Sequence, residues 1–132
     1  MSEIPIEFTF RNMDRSDALE AEARRRAQKL ATLWSGVISC RIVGEVAQRS
    51  PVQPGTRLHL FRVEVAVPGE DIHASNDLNK EESARDPYLA MREAFDAAER
   101  RLVDRVGRLR VRTGTQPPAR QGQGREQDQD QE

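Results

Sequence analysis

Residues 4–10 read IPIEFTF, with Ile4, Ile6, Phe8 and Phe10 alternating against Pro5, Glu7 and Thr9. Period two over this length is the pattern of a half-buried strand, and Pro5, which has no amide donor, suits the strand start or a sheet edge. RNMD then breaks the alternation. Ser16 or Asp17 is placed to cap a helix, and Asp17 with Glu20 has the spacing of a capping box. From Leu19 the apolar positions run Leu19, Ala23, Ala27, Leu30 and Trp34. At roughly 100° per residue they fall within about one quadrant, the stripe of a helix packed on one side. Ser35–Gly36 ends that helix.

Working outward, VISCRIVGEVAQ alternates again, with Ile38, Cys40, Ile42, Gly44 and Val46 on one face. SPVQPGT supplies turn residues, and its PVQP is read as a hairpin loop rather than as a ligand for a proline-binding partner. RLHLFRVEVAVPG follows, with Phe61, Val63, Val65 and Val67 inward and Arg62 and Glu64 outward. Pro68–Gly69 turns the chain into a short fourth strand, DIHAS. After a polar loop, NDLNKEESARD, Asp86–Pro87 is a strong helix start, with Asp as cap and Pro at the first helical position. Tyr88, Met91, Phe95, Ala98, Leu102, Val106 and Leu109 form its apolar stripe.

The order is β-α-β-β-β-α, an α+β fold. A strand–helix–strand opening favours a parallel first pair through a right-handed crossover, and the short turns after it favour antiparallel hairpins. Two helices on one face of a four-stranded sheet close the core. The other sheet face, carrying Glu7, Thr9, Arg41, Glu45, Arg62 and Glu64, is expected to be wet.

The chain of 132 residues is about one domain. Residues 113–132, TGTQPPARQGQGREQDQDQE, hold no Val, Ile, Leu, Met or aromatic residue, so they are expected to be a disordered tail beyond a domain spanning 1–112. A lone cysteine gives no disulfide framework, and no secretory leader or membrane-length apolar run is visible. A soluble cytoplasmic protein is the expectation.

The net charge is only −1, so charge matters here through its distribution. RRLVDRVGRLRVR, Arg100 to Arg112, sets six arginines against Asp104. Arg101, Arg105, Arg108 and Arg112 recur at helical spacing and fall within about 60° of one another, off the buried stripe. Asp96 is placed to pair with Arg100, and Asp104 with Arg108 or Arg101. The first helix carries a second cluster, ARRRAQK, in which Arg25 and Lys29 point away from the apolar stripe and Arg26 flanks it. Basic residues in a last turn also suit the helix dipole, so a merely solvated face competes with a polyanion-binding one. All six aromatics fall on apolar faces, leaving no platform for stacking single-stranded bases. Arginines on rigid helices would grip phosphates and shape, which fits a structured RNA.

Other chemistry finds little support. His59 and His73 lie on different strands with no His or Cys at ligand spacing, so no metal is expected. Cys40 alternates with apolar neighbours, as a buried small hydrophobe does. The acidic loop from Glu70 to Asp86 reads as solvated linker. No Gly-rich phosphate loop, G-x-S-x-G or H-E-x-x-H occurs. Neither catalytic residues nor cofactors are expected.

With these pieces placed, the chain from about Ile4 to Arg110 resembles the ribosome hibernation-promoting factor family, also called ribosome-associated inhibitor or sigma-54 modulation proteins. The segments that carry the resemblance are FRNMDRSDALEAEARRRAQKL, ISCRIV, FRVEVAVPGEDIHAS and DPYLAMREAFDAAERRL. Asp86, Tyr88, Ala90 and Met91 are similar to the opening of the family's second helix. The resemblance implies a fold like a double-stranded-RNA-binding domain. It also implies a site in the tRNA and mRNA channel of the small ribosomal subunit, where occupancy blocks translation and preserves idle ribosomes under stress. Arg26 and Lys29 fall on the family's basic positions in the first helix, and Arg100 on an arginine of the second. Ala97 and Asp104 stand where many members have lysine, and the loop after IHAS is longer and more acidic than usual.

The expected rRNA-binding residues are Arg11, Arg25, Arg26, Lys29, Arg100, Arg101, Arg105 and Arg108. The expected partner is the small subunit with its 16S-type rRNA, bound by a monomeric single-domain factor with no membrane or small-molecule substrate. A protein-interaction or transcription-modulating module, and a general binder of structured RNA, are the alternatives.

Overall fold

A computed structural model of the protein describes residues 3–50, 53 and 55–112, without the side chains of 48, 49 and 109–112. The elements are β1 (Ile6–Arg11), α1 (Asp17–Leu33), β2 (Ser39–Arg49), β3 (Arg57–Val67), β4 (Glu70–Ser75), a short α2 (Glu81–Ala84) and α3 (Pro87–Arg112). The expected tail at 113–132 and the side chains of Leu109 and Arg112 lie outside the described residues. The chain divides into two compact units, Met1–Leu102, which holds the sheet, and Val103–Glu132.

The sheet order is β1-β2-β3-β4. β1 pairs with β2 in parallel and the two later pairs are antiparallel, as the strand–helix–strand opening requires. Val67 pairs with Glu70 around Pro68–Gly69, and the positive φ of Gly69 is the conformation that this tight turn needs. The inner face carries Cys40, Ile42, Phe61, Val63, Val65 and Ile72, all buried. Leu19, Ala23, Ala27 and Leu30 of α1 and Ala90, Met91, Ala94, Phe95, Ala98 and Leu102 of α3 complete the core.

One alternative that the spacing leaves open is settled, and three details depart from the periodicity. Ser16, not Asp17, caps α1, its Oγ accepting from the Leu19 amide at 3.2 Å. Ile38 is 55% exposed and Val37 is buried instead. The strand itself starts at Ser39, and a turn bond from the Val37 amide to the Trp34 carbonyl precedes it, while the Ile38 amide already donates to the Ala66 carbonyl of β3 at 2.8 Å. Tyr88 is 45% exposed, because Ala90 and Met91 begin the face of α3 that is buried. The polar loop is not plain linker either. It contains α2, whose Ala84 is fully buried, and it begins with the buried Asn76.

Asn76 continues the sheet after β4 ends. Its Oδ1 accepts from the Phe61 amide at 2.8 Å and its Nδ2 donates to the His59 carbonyl at 3.0 Å. One side chain thus satisfies two β3 backbone groups that the last paired residue, Ser75, leaves unserved. The His59 ring lies 3.1 Å from the Ala84 carbonyl through Nδ1, which must carry the proton because a carbonyl only accepts. Arg85 donates to Gln53 at 2.9 Å, and Ser50 donates to Glu81. These bonds tie α2 to the β2–β3 connection.

Candidate nucleic-acid interface

The basic residues fall into groups that the strand direction keeps apart. Because α1 follows β1 directly and returns alongside it, the start of α1 lies near Arg11 and its later turns near the beginning of β1. Two bonds fix this. Arg24 donates to the Ile6 carbonyl at 3.0 Å, and Gln28 accepts from the Ile4 amide at 3.4 Å. Arg25, Arg26 and Lys29 therefore sit at the opposite end of β1 from Arg11, about five residues or ~17 Å along the strand. Arg11 thus stands apart from the α1 cations.

On α1, Glu22 holds two of the cations. Arg25 donates to it through two nitrogens, and Arg26 Nε donates at 2.8 Å. The Arg25 hydrogen bonds, reinforced by the charges of Arg25 and Arg26, hold the Glu22 carboxyl below its usual range, so it is ionised at neutral pH. The sign follows from linkage: this pairing stabilises above the ordinary carboxylate range and is lost as pH falls through the lowered value. The Lys29 ammonium is exposed and has no ion-pair partner among the described residues. Arg24, which the sequence reading did not single out, pairs with Glu20 at 2.9 Å while covering an edge carbonyl of β1.

On α3, Arg100, Arg101 and Arg108 are exposed. Among the described residues, Asp96 makes no ion contact with Arg100, nor Asp104 with Arg101 or Arg108; the i,i+4 pairs that form are on α1. Arg105 and Arg108 belong to the second compact unit, Arg100 and Arg101 to the first.

Arg11 and Arg101 meet elsewhere, at a cavity of about 620 Å³ on the wet sheet face. Two cross-strand rows contribute to its lining, Arg41, Glu64 and His73 from one and Val43, Arg62 and Ser75 from the other. Glu7, Arg41, Glu64 and His73 stand in register across all four strands, and Thr9, Val43, Arg62 and Ser75 form the next row. Arg41 bridges Glu7 at 3.1 Å and Glu64 at 3.3 Å, Arg62 reaches Glu45 at 3.3 Å, and His73 lies 3.7 Å from Glu64. Exposed pairs of this kind contribute little stability each, but they fix where the guanidiniums stand.

Glu64, Asp71 and His73 place one ligand atom each within 4.8 Å of one another, the geometry a cation would need. Glu64 is already engaged by Arg41 there. Sequence spacing could not show this group, since it exists only through the β3–β4 register. Cys40 is buried, and burial, with the Glu64 charge second, pushes its thiol up to about 12. It is thus un-ionised at neutral pH and poorly suited to nucleophilic work. No helix among the described residues is long and apolar enough to cross a membrane.

These features define an α+β domain with an open four-stranded sheet, one helix-covered face and arginine-rich helices. The chain belongs to the family described as sigma 54 modulation protein / S30EA ribosomal protein, which it matches over residues 6–110. Two similar solved structures share the fold. One is the Thermus thermophilus Protein Y N-terminal domain, at 19% identity and TM-score 0.57, covering 75% of this chain and 96% of that one. The other is a ribosomal subunit interface protein from Coxiella burnetii, at 16% identity and TM-score 0.62, covering 78% of this chain and 98% of that one. No curated protein matches the chain in sequence.

Proposed function

We propose that the protein is a ribosome-associated factor that binds the small subunit in the channel used by tRNA and mRNA, and inhibits translation by occupying it. It acts without catalysis and serves to preserve idle ribosomes under stress in the cytoplasm. The family match across 105 residues, 6 to 110, is the observation that carries this reading. The helix cations support it: Arg25, Arg26 and Lys29 on α1, with Arg100, Arg105 and Arg108 on α3, are assigned to rRNA phosphates. Guanidinium forks suit phosphate oxygens, and no base-stacking platform is needed for a surface that reads backbone and shape.

A cell-free translation assay tests the proposal. Added at a small excess over ribosomes, the protein is expected to suppress synthesis, and raising the salt relieves the block because counterion release weakens each phosphate contact. Full synthesis at every ratio tried contradicts it.

Glu22 gives a sharper prediction. Its carboxylate neutralises part of the α1 cluster, so Glu22→Gln is expected to tighten ribosome binding by roughly 3–10-fold at low salt, since one opposing charge leaves the contact surface. Thermal stability should hardly change, as exposed pairs contribute little. Unchanged or weaker binding would show that Glu22 orients the arginines more than it screens them.

A further inference from the structure

We propose that the cavity on the exposed sheet face is a second site, which binds a compact oligophosphate such as the phosphate chain of a nucleoside di- or triphosphate. Its volume of about 620 Å³ lies within the range of small-molecule sites. Two guanidiniums reach it from separate elements, Arg11 from the end of β1 and Arg101 from α3. Both are exposed, and neither has an ion-pair partner among the described residues. Arg41 and Arg62 also line it, but their charges are matched by Glu7, Glu64 and Glu45. Those three carboxylates outnumber the two guanidiniums by one, and Glu64 itself lines the cavity, so Arg11 and Arg101 leave it a surplus of one positive charge.

The lining also states what is recognised. No Phe, Tyr or Trp is among the lining residues; the one ring there, the His73 imidazole, lies 3.7 Å from Glu64, and the contacts on offer are chiefly guanidinium forks. Recognition thus rests mainly on the phosphates. The same face argues against a long polyanion. A nucleic-acid strand laid across it would pass over Glu7, Glu45 and Glu64, whereas a short phosphate chain meets fewer of these carboxylates. The site is separate from the α1 cations assigned to rRNA, which lie at the other end of β1.

Calorimetric titration of the full chain tests this, using inorganic tripolyphosphate, pyrophosphate, orthophosphate, ATP and GTP as probes. Saturable one-site binding is expected, strengthening with phosphate number, with ATP and GTP agreeing within about twofold because the guanidinium–phosphate contacts dominate. Arg11→Gln with Arg101→Gln should weaken tripolyphosphate by about tenfold or more, as two charge-assisted contacts go. Arg11→Lys with Arg101→Lys should retain part of the affinity, separating charge from fork geometry. Arg26→Gln with Lys29→Gln should leave it unchanged. All these side chains are at least partly exposed, and circular dichroism checks that each variant is folded. Absence of saturable tripolyphosphate binding overturns the proposal. So does equal loss in the α1 variant, which would mean diffuse attraction, or displacement by single-stranded RNA with higher affinity, which would make this an RNA surface.

Discussion

Asn76→Ala is expected to destabilise the domain by about 2–4 kcal/mol, because it strands two β3 backbone groups at once. The Phe61 amide is buried and its bond to Asn76 Oδ1 is 2.8 Å long, while the His59 carbonyl loses the Nδ2 donor. Asn76 itself is 6% exposed, so water has little access with which to replace either bond. The effect extends beyond the two bonds. Asn76 marks the point where β4 ends and the chain leaves for α2, so its loss frees the segment that His59 and Ser50 also hold. Urea denaturation should show a lower midpoint with little change in slope, and melting should fall by roughly 10 °C or more. Asn76→Asp is an informative companion, since it keeps the acceptor for Phe61 and loses the donor to His59. It should fall between Asn76→Ala and the native protein unless burial of its charge dominates.

Gly44→Ala is the second large effect, and here the cause is a side chain added rather than removed. Gly44 faces inward on β2, paired with Phe10 on one side and Phe61 on the other. A Cβ at position 44 would lie 2.6 Å from Phe61 Cε2 and 3.1 Å from Cδ2. The Phe61 ring is fully buried and stands edge-on to Phe8, with centroids 6.4 Å apart, so it has no free space in which to swing aside. Overpacking of a close-packed core costs about 1–3 kcal/mol. The double variant Gly44→Ala with Phe61→Leu separates this mechanism from a general intolerance of change in β2. Leucine removes the ring edge that the methyl meets, so the two substitutions together should cost less than their sum, with a coupling of roughly 0.5–3 kcal/mol. Simple additivity would show that the Gly44–Phe61 clash is not the cause.

Both residues illustrate which parts of the fold were legible in the sequence. Ile4 to Phe10, Leu19 to Trp34 and Phe61 to Val67 announce themselves by period, and the short turn at Pro68–Gly69 dictates an antiparallel neighbour. The strand order and inner face follow from those patterns. Asn76 carries no such signal, because an asparagine after a strand is ordinary loop composition until its partners on β3 are known. Periodicity misplaces Ile38 and Tyr88 because it shows which side of an element is apolar and not where the buried face begins.

The basic residues divide in the same way. Their abundance on α1 and α3 can be read directly, since i,i+3 and i,i+4 spacing is local. Their assembly cannot. That Arg24 is occupied with the Ile6 carbonyl, that Glu22 screens Arg25 and Arg26, and that Arg11 and Arg101 share a cavity away from the α1 cluster all depend on contacts between elements.

The most direct test of ribosome association is equilibrium binding to purified small and large subunits, measured from low to physiological salt. A preference for the small subunit is predicted, with log K falling linearly against log salt concentration. In the Arg25→Glu, Arg26→Glu, Lys29→Glu variant, whose altered side chains are solvent-accessible, affinity should fall by at least ~100-fold and the slope by roughly 2–3. Binding that ignores salt, that favours the large subunit, or that survives intact in the variant would contradict the account.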